Sequence, residues 1–482
     1  MIDKNRHSQP FIIVIAVTAI LLILSQFNTK LSIAGFETKP IEALSDIVSS
    51  SIATPANDSL VAIKDSLALA DSIALAESLI PIDSSNIIDY RLDTTTSLAH
   101  FFESLNATKR TKNKTRIAYF GDSMIEGDLI SQDLRSCMQD TFGGAGVGFV
   151  PITSIVAGFR STIIHSFGNW ETYHLLKNPP ANHVLGISGY GFVTNVVNPE
   201  DTLAAGAASW VKYVAVNQKH LNKFYEIKLL YGKSTDENYV VINGYKHALK
   251  GTNPVNELAI NASAGAQSLK ATFYCKTPVD IFGFSMESDS GVFVDNFSFR
   301  GNSGMPNTKV SQSIYSGTNR HLDYDLIILE YGLNAVSPKV KDYSWYEKGM
   351  DNVIKHLQAS FPNTSILLVS VGDKSYRQNG VYETDPSVPL LVETQKRLAK
   401  NNKIAFWSLY DAMGGYGSMV KWVQGDTVLA NKDYTHFNFK GAHKAGKMLF
   451  TKLMDEYKAY NKRNGNTNLV SVAIPTKTDS IH

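Results

Sequence analysis

Three short segments carry side chains that together could perform nucleophilic catalysis. The first is Gly121-Asp122-Ser123, which follows the apolar run Arg116-Ile117-Ala118-Tyr119-Phe120. That run reads as a short buried strand. Met124 to Met138 places Ile125, Leu129, Leu134 and Met138 at apolar helical positions, which predicts a helix. Ser123 would then stand at a helix N-terminus, where free N–H groups favour developing negative charge. The plainer alternative is a serine that only caps the helix. The second segment is Asp433-Tyr434-Thr435-His436. An Asp three residues before a His can reach the imidazole Nδ1, fix the tautomer and leave Nε2 to take a proton. The third is Gly332-Leu333-Asn334, after the apolar run Leu326 to Tyr331. An Asn amide in that loop can donate to an oxyanion, although Gly and Asn also favour ordinary turns.

In this order the three segments resemble the SGNH (GDSL-type) hydrolase family. Ile117 to Ser123 looks like the family's first block, Gly332 to Asn334 like its third and Asp433 to His436 like its fifth. The resemblance covers about 98–150 and 292–457. It implies that Ser123 is the nucleophile, His436 the general base and Asp433 its orienting partner. It also implies an oxyanion hole made by the Ser123 N–H, a glycine N–H from the second block and the Asn334 side chain. The stretch from Val294 to Gly304 is the candidate second block, with Gly301 the donor and Gly304 the alternative. The sequence departs from the pattern at Ala335, where an Asp is usual.

These loops need a scaffold. Leu326–Glu330, Ser365–Ser370 and Ile404–Trp407 read as strands. Tyr346–Phe361, Val388–Asn401 and Gly441–Tyr457 read as helices, and Thr96–Asn106 as an amphipathic helix beside the first strand. Alternating strands and helices give an α/β fold, with a parallel sheet between helical layers and the site at the strands' carboxyl ends. Between the first and second blocks lies different sequence. Short alternating segments such as Phe224–Tyr231, Tyr239–Ile242, Leu269–Cys275 and Val279–Ser285 read as an inserted all-β sandwich. In that setting it looks like a carbohydrate-binding module. Trp170, Tyr173, Tyr190 and Trp210 could stack on sugar rings, or simply fill the core. The Gly-rich segment Asp411 to Met419, followed by Trp422, resembles a loop of cell-wall SGNH esterases; it either shapes the pocket or is a structural turn.

The 482 residues suffice for more than one domain, and 46 basic against 44 acidic residues leave a formal net charge of +2. No dense basic cluster interleaved with aromatics occurs, which argues against nucleic-acid binding. Cys137 and Cys275 read as two buried thiols. No Cys/His cluster has metal-ligand spacing, and no cofactor is implied. Phe11 to Leu24 is almost entirely apolar and follows Lys4 and Arg6. A cleavable secretory signal and an uncleaved anchor both fit; the poor cleavage site at Ser25-Gln26-Phe27 favours the anchor, with the rest exported to the periplasm or exterior.

The chain accordingly divides into a cytoplasmic end (1–10), a transmembrane anchor (11–27) and a low-complexity linker (28–93). Then come the first hydrolase part (94–150), the sandwich (151–290), the second hydrolase part (291–460) and a polar, disordered tail (461–482). The linker repeats Asp58-Ser59-Leu60, Asp65-Ser66-Leu67, Asp71-Ser72-Ile73 and Glu77-Ser78-Leu79. Within the SGNH family, peptidoglycan O-acetylesterases share this layout. The resemblance therefore implies release of O-acetyl groups from peptidoglycan or another envelope polysaccharide. A glycan O-acetyltransferase with the same triad, or a non-catalytic glycan-binding protein, remain the rivals. An independent sandwich would also be dispensable for hydrolysis of small aryl acetates.

Overall fold

The computed structural model describes residues 86–91, 96–177, 179–197 and 204–466, together with two short strands near the N-terminus. Those two, Ser32–Ile33 and Phe36–Glu37, pair antiparallel within a unit spanning 1–80. The second compact unit spans residues 81–482. The apolar segment 11–27, the repeats of the linker and residues 467–482 lie outside the described residues. Among the described residues, no helix is long and apolar enough to cross a membrane.

The unit is mixed α/β. Six strands form its central sheet: β1 (Ile88–Asp89), β2 (Lys114–Gly121), β3 (Gly291–Ser298), β4 (Leu326–Glu330), β5 (Ser365–Val369) and β6 (Ala405–Trp407). Their spatial order is β3-β2-β4-β5-β6-β1. All neighbours are parallel except β1, which runs antiparallel to β6. Strands β4 and β5 are buried along their whole length, as near-continuous apolar runs covered on both faces must be. Two groups of helices accompany the sheet. In the first, α1 (Ala99–Thr111), α2 (Ser131–Phe142) and α8 (Phe439–Arg463) share an aromatic cluster, with Tyr457 lying 5.9 Å from Phe102 and 5.5 Å from Phe142. In the second, α3 (Gln312–Leu322), α4 (Ser344–Ser360) and α5 (Ser387–Asn402) pack in series. Two short helices, α6 (Leu409–Met413) and α7 (Ser418–Gln424), follow β6.

Two antiparallel sheets interrupt this domain. One runs Asn256–Ala266, Phe224–Tyr231, Asp280–Glu287, Tyr190–Thr194, Trp170–His174, with Gly148–Val150 also pairing to Asp280–Glu287. The other runs Tyr245–Ala248, Tyr239–Ile242, Ser268–Tyr274, Ser209–Val214, Ile164–Gly168. Their inward residues, including Phe192, Tyr213, Phe273 and Phe284, form a core of their own.

Several expected boundaries move. The insertion's sheet begins at Gly148, inside the stretch read as the first hydrolase part, because Gly148–Val150 pairs with 284–286. The end of the supposed linker joins the central sheet, where the backbone of Ile88 and Asp89 pairs with the edge strand β6. The last helix continues into the supposed tail, since buried Asn461 accepts a 2.9 Å bond from Asn106 Nδ2. Both cysteines are free. The four aromatics considered as sugar platforms follow the core alternative. Tyr173 is buried. Trp170 Nε1 donates to the Trp210 carbonyl, and Tyr190 stacks between Phe192 and Phe299. The Trp210 indole covers Gly168.

A buried ion cluster joins the sandwich to the parallel sheet. Arg116 on β2 reaches Ser285 Oγ at 2.8 Å, Asp295 Oδ2 on β3 at 3.3 Å, and Glu287. Asp295 also accepts from Tyr324 OH at 2.6 Å and from the Phe149 N–H at 2.8 Å. Glu287 keeps Lys228 at 3.3 Å as a second cation. Arg116→Met should therefore destabilise the chain by about 3 kcal/mol, the lower part of the range for breaking a buried pair. Urea unfolding checks this, and a midpoint within error of wild type would show that the cluster contributes no net stability.

Candidate active site

Strand β2 ends at Gly121, where an added Cβ would lie 2.9 Å from Ile125 Cδ1 and 3.0 Å from the Glu330 carbonyl. Only glycine permits so close an approach of the β2 and β4 ends. Asp122 Oδ1 then accepts from the Met124 N–H at 3.0 Å, turning the chain so that Ser123 faces a cleft. The expected helix does not start here. Gly127, Asp128 and Ile130 all take left-handed backbone angles, and α2 begins only at Ser131. The cause is the buried Asp128 carboxylate, which accepts from Ser131 Oγ at 2.6 Å and pairs bidentately with Arg135. The two arginines at its side, Arg135 and Arg160, outweigh burial and hold this carboxyl far below the usual range.

The second catalytic-type loop follows α7. Asp433 Oδ1 accepts from the Thr435 and His436 N–H groups, both at 3.0 Å, while Oδ2 lies 2.8 Å from His436 Nδ1. Burial raises the Asp433 carboxyl, but those N–H groups and the imidazole more than offset it and leave it below the ordinary range. Tyr434 takes a left-handed conformation (φ 53°) between the two. A hairpin absent from the sequence reading, Ser375–Gln378 with Val381–Thr384, braces it. Tyr382 stacks on Tyr434 at 3.6 Å, and the Ser375 N–H donates to the Tyr434 carbonyl at 3.0 Å.

These two loops meet. Ser123 Oγ lies 2.9 Å from His436 Nε2, so serine, imidazole and carboxylate are joined in one chain of contacts. They open on a cleft of about 830 Å³, lined also by Leu129, Ile155, Phe159, Arg300, Gly301, Asn334 and Lys374. Gly301 lies on the cleft with φ 76°. Gly304 packs against Met350 and Tyr331, and its N–H is already bound to Asn302 Oδ1 at 2.9 Å. Of the two glycines, only Gly301 lines the cleft. Asn334 lines the same cleft as Ser123, but its Nδ2 donates to Asp122 Oδ2 and to the Asn302 carbonyl, each at 3.0 Å. An oxyanion there would have to share one of those hydrogens. The Gly-rich segment serves as a support: the Trp422 indole packs 4.9 Å from Phe437 and donates to the Met413 carbonyl. Its Met419 N–H binds Asp373 Oδ2 at 2.7 Å.

Behind the serine lie three buried carboxyls that the motifs do not announce as a group. Burial pushes Asp122 up to about 7, against the pull of the Met124 N–H, His436 and the Asn334 amide. It pushes Glu330 up to about 8, with Tyr119 opposing and Asp122 reinforcing. Asp373 rises to about 6 by burial, against the Met419 N–H, Thr384 and Ser418. Unfolded carboxyls ionise near pH ~4. Between about pH 4 and 8 the native chain therefore binds more protons than the unfolded one, and stability falls as pH rises. Thermal unfolding should show Tm dropping from pH 5.5 to 8, with a shallower slope in Glu330→Gln. An identical slope in the variant would remove Glu330 from this account.

No protein-family model matches the sequence, and none of the curated proteins does. Solved structures do. One described as a peptidoglycan O-acetylesterase in action superposes over 77% of this chain and 99% of its own, with a TM-score of 0.65 and 21% identity. A family two carbohydrate esterase from Cellvibrio japonicus (TM-score 0.24, 8% identity, 61% of this chain and 98% of that one) and an acetyl xylan esterase (0.24, 16%, 33% and 79%) are more distant. The first of these likenesses establishes the shared fold, an interrupted α/β domain of the kind expected from the three motifs.

Proposed function

We propose that this chain is an exported, membrane-tethered SGNH-type serine esterase that removes O-acetyl groups from peptidoglycan or another envelope polysaccharide. One observation carries the reading: Ser123 Oγ, His436 and Asp433 are in hydrogen-bond contact, at 2.9 and 2.8 Å, on an open cleft. In this mechanism Ser123 Oγ attacks the ester carbonyl carbon as His436 Nε2 takes its proton. Asp433 stabilises the imidazolium. The tetrahedral oxyanion is held by the Ser123 and Gly301 N–H groups and the Asn334 amide. Collapse expels the sugar hydroxyl, which takes the proton from His436. Water, deprotonated by the same imidazole, then attacks the acetyl carbonyl carbon; the Ser123 Oγ–acetyl bond breaks, Oγ takes the proton back from His436, and acetate leaves. No metal or cofactor has a part in these steps.

The glycan substrate is supported by the fold shared with the named peptidoglycan O-acetylesterase. Export and tethering are supported by the apolar segment 11–27. The test is acetate release from O-acetylated peptidoglycan by the full chain. Acetate from the wild type and none from Ser123→Ala supports the reading. Acetate moved onto an added glycan acceptor without net hydrolysis would replace it with a transferase. Asn334→Ala should lower kcat by roughly 10²–10³-fold with KM little changed, as for loss of an oxyanion donor. A kcat within twofold of wild type would remove Asn334 from the oxyanion hole.

A further inference from the structure

One wall of the cleft comes from the insertion rather than from the α/β domain. Between Gly148–Val150 and Ile164–Gly168 the chain makes a tight loop, in which the Phe159 and Arg160 N–H groups both donate to the Val156 carbonyl. Ile155, Val156, Gly158 and Phe159 of this loop line the same cleft as Ser123 and His436. The loop is fixed at its base. Arg160 reaches the buried Asp128 at 3.0 Å, Thr162 Oγ1 reaches it at 2.6 Å, and Arg160 Nε bonds Thr162 at 2.8 Å. The Phe159 ring rests on Gly127, where any Cβ would come within 2.4 Å of it, and packs 5.2 Å from Phe439.

Despite this anchoring the loop presents apolar surface. Ile155 is 78% exposed and Phe159 45% exposed. Beside them stand charged groups: Arg300 paired with Glu126 at the cleft edge, and Lys374. An apolar shelf next to polar groups matches a pyranose ring, which offers a C–H face to one and hydroxyls to the other. A long acyl chain would need an enclosed apolar channel, whereas these side chains lie open beside charges.

We propose that the 154–160 loop is the glycan platform of the site: Ile155 and Phe159 carry the apolar face of a sugar ring of the acetylated polysaccharide while its ester enters toward Ser123. This rests on the esterase reading above. The insertion thereby selects polymer through a loop at the reaction centre, not through the Trp and Tyr residues of its sheets.

The test compares wild type, Ile155→Ala and Phe159→Ala as full chains on O-acetylated peptidoglycan and on 4-nitrophenyl acetate. Ile155 is so exposed that its truncation leaves the packing intact, which covers the case of a misfolded Phe159→Ala. The ratio of kcat/KM on polymer to that on the small ester should fall about tenfold in each, mainly through KM, as expected for lost apolar burial. Equal falls on both substrates, or a gain in wild type from acetate to hexanoate esters that the variants lose, would overturn the platform. Binding is read separately by co-sedimentation with the same polymer in the Ser123→Ala background, where both loop variants should bind at least several-fold more weakly. Undiminished binding there would overturn the platform even if turnover stands. Absence of wild-type hydrolysis on every ester would instead strike the esterase reading.

Discussion

Ser123→Ala should lower ester hydrolysis by about 10⁴-fold or more, and His436→Ala by a similar factor, because nucleophile and base act as one unit. The geometry explains why neither loss can be covered. Ser123 Oγ is bonded to His436 Nε2, and among the described residues no other histidine lines the cleft. The double variant should be scarcely worse than either single one, the residual rate coming from the oxyanion donors and substrate binding. Folding should be unaffected by Ser123→Ala, since among the described residues the serine hydroxyl bonds only the imidazole. Steady-state turnover of 4-nitrophenyl acetate, with Tm measured on the same samples, checks both parts. Activity near wild type in either single variant would end the triad assignment; multiplicative losses in the double variant would mean that the two residues act in separate steps.

What the sequence made legible was local. Asp433 and His436 stand three residues apart, and the turn that unites them is closed by Asp433's own carboxylate. The strands before Ser123 and Asn334 are apolar runs whose type does not depend on distant partners. What stayed hidden depends on groups far apart in the chain. The helix expected from Met124 is delayed because Asp128 is held by Arg135 and Arg160, and Arg160 comes from the insertion. The hairpin at 375–384 is the exception: its strands are short and polar, but its Asn379-Gly380 turn is a local hairpin signal, and stacking on Tyr434 fixes its place. Whether the aromatics of the insertion face sugars or fill the core stayed open in the same way, because composition cannot tell a packed Tyr190 from an exposed one. The loop that does face the cleft holds a lone Ile and Phe and carries no motif. Asp122 stands in the sequence only as a neighbour of the serine, yet it accepts from the Asn334 amide across 212 positions.

Deleting residues 151–290 should abolish hydrolysis of small and polymeric esters alike, and should leave no soluble, cooperatively folded protein. An independent sandwich would be dispensable, but this one is not independent. Tyr173, Leu175, Leu185, Ile187, Val193, Leu230, Val255 and Phe282 belong to the same core as Val294, Phe297 and Tyr315 of the α/β domain. Each such contact, at roughly 1.5–3 kcal/mol for a buried large apolar side chain, would be replaced by water. Eight of them amount to about 12–24 kcal/mol, comparable to or larger than the roughly 5–15 kcal/mol by which domains are stable. The deletion also takes Glu287 and Ser285 from Arg116, Arg160 and Thr162 from Asp128, and the Ile155–Phe159 wall from the cleft. The left-handed backbone of Asp128 would lose the Arg160 and Thr162 bonds that help to hold it, so the turn after Ser123 should relax toward the helix its sequence prefers. Circular dichroism, thermal unfolding and turnover of 4-nitrophenyl acetate decide the point. A deletion protein that unfolds cooperatively and keeps wild-type small-ester activity would show that the insertion is an accessory after all.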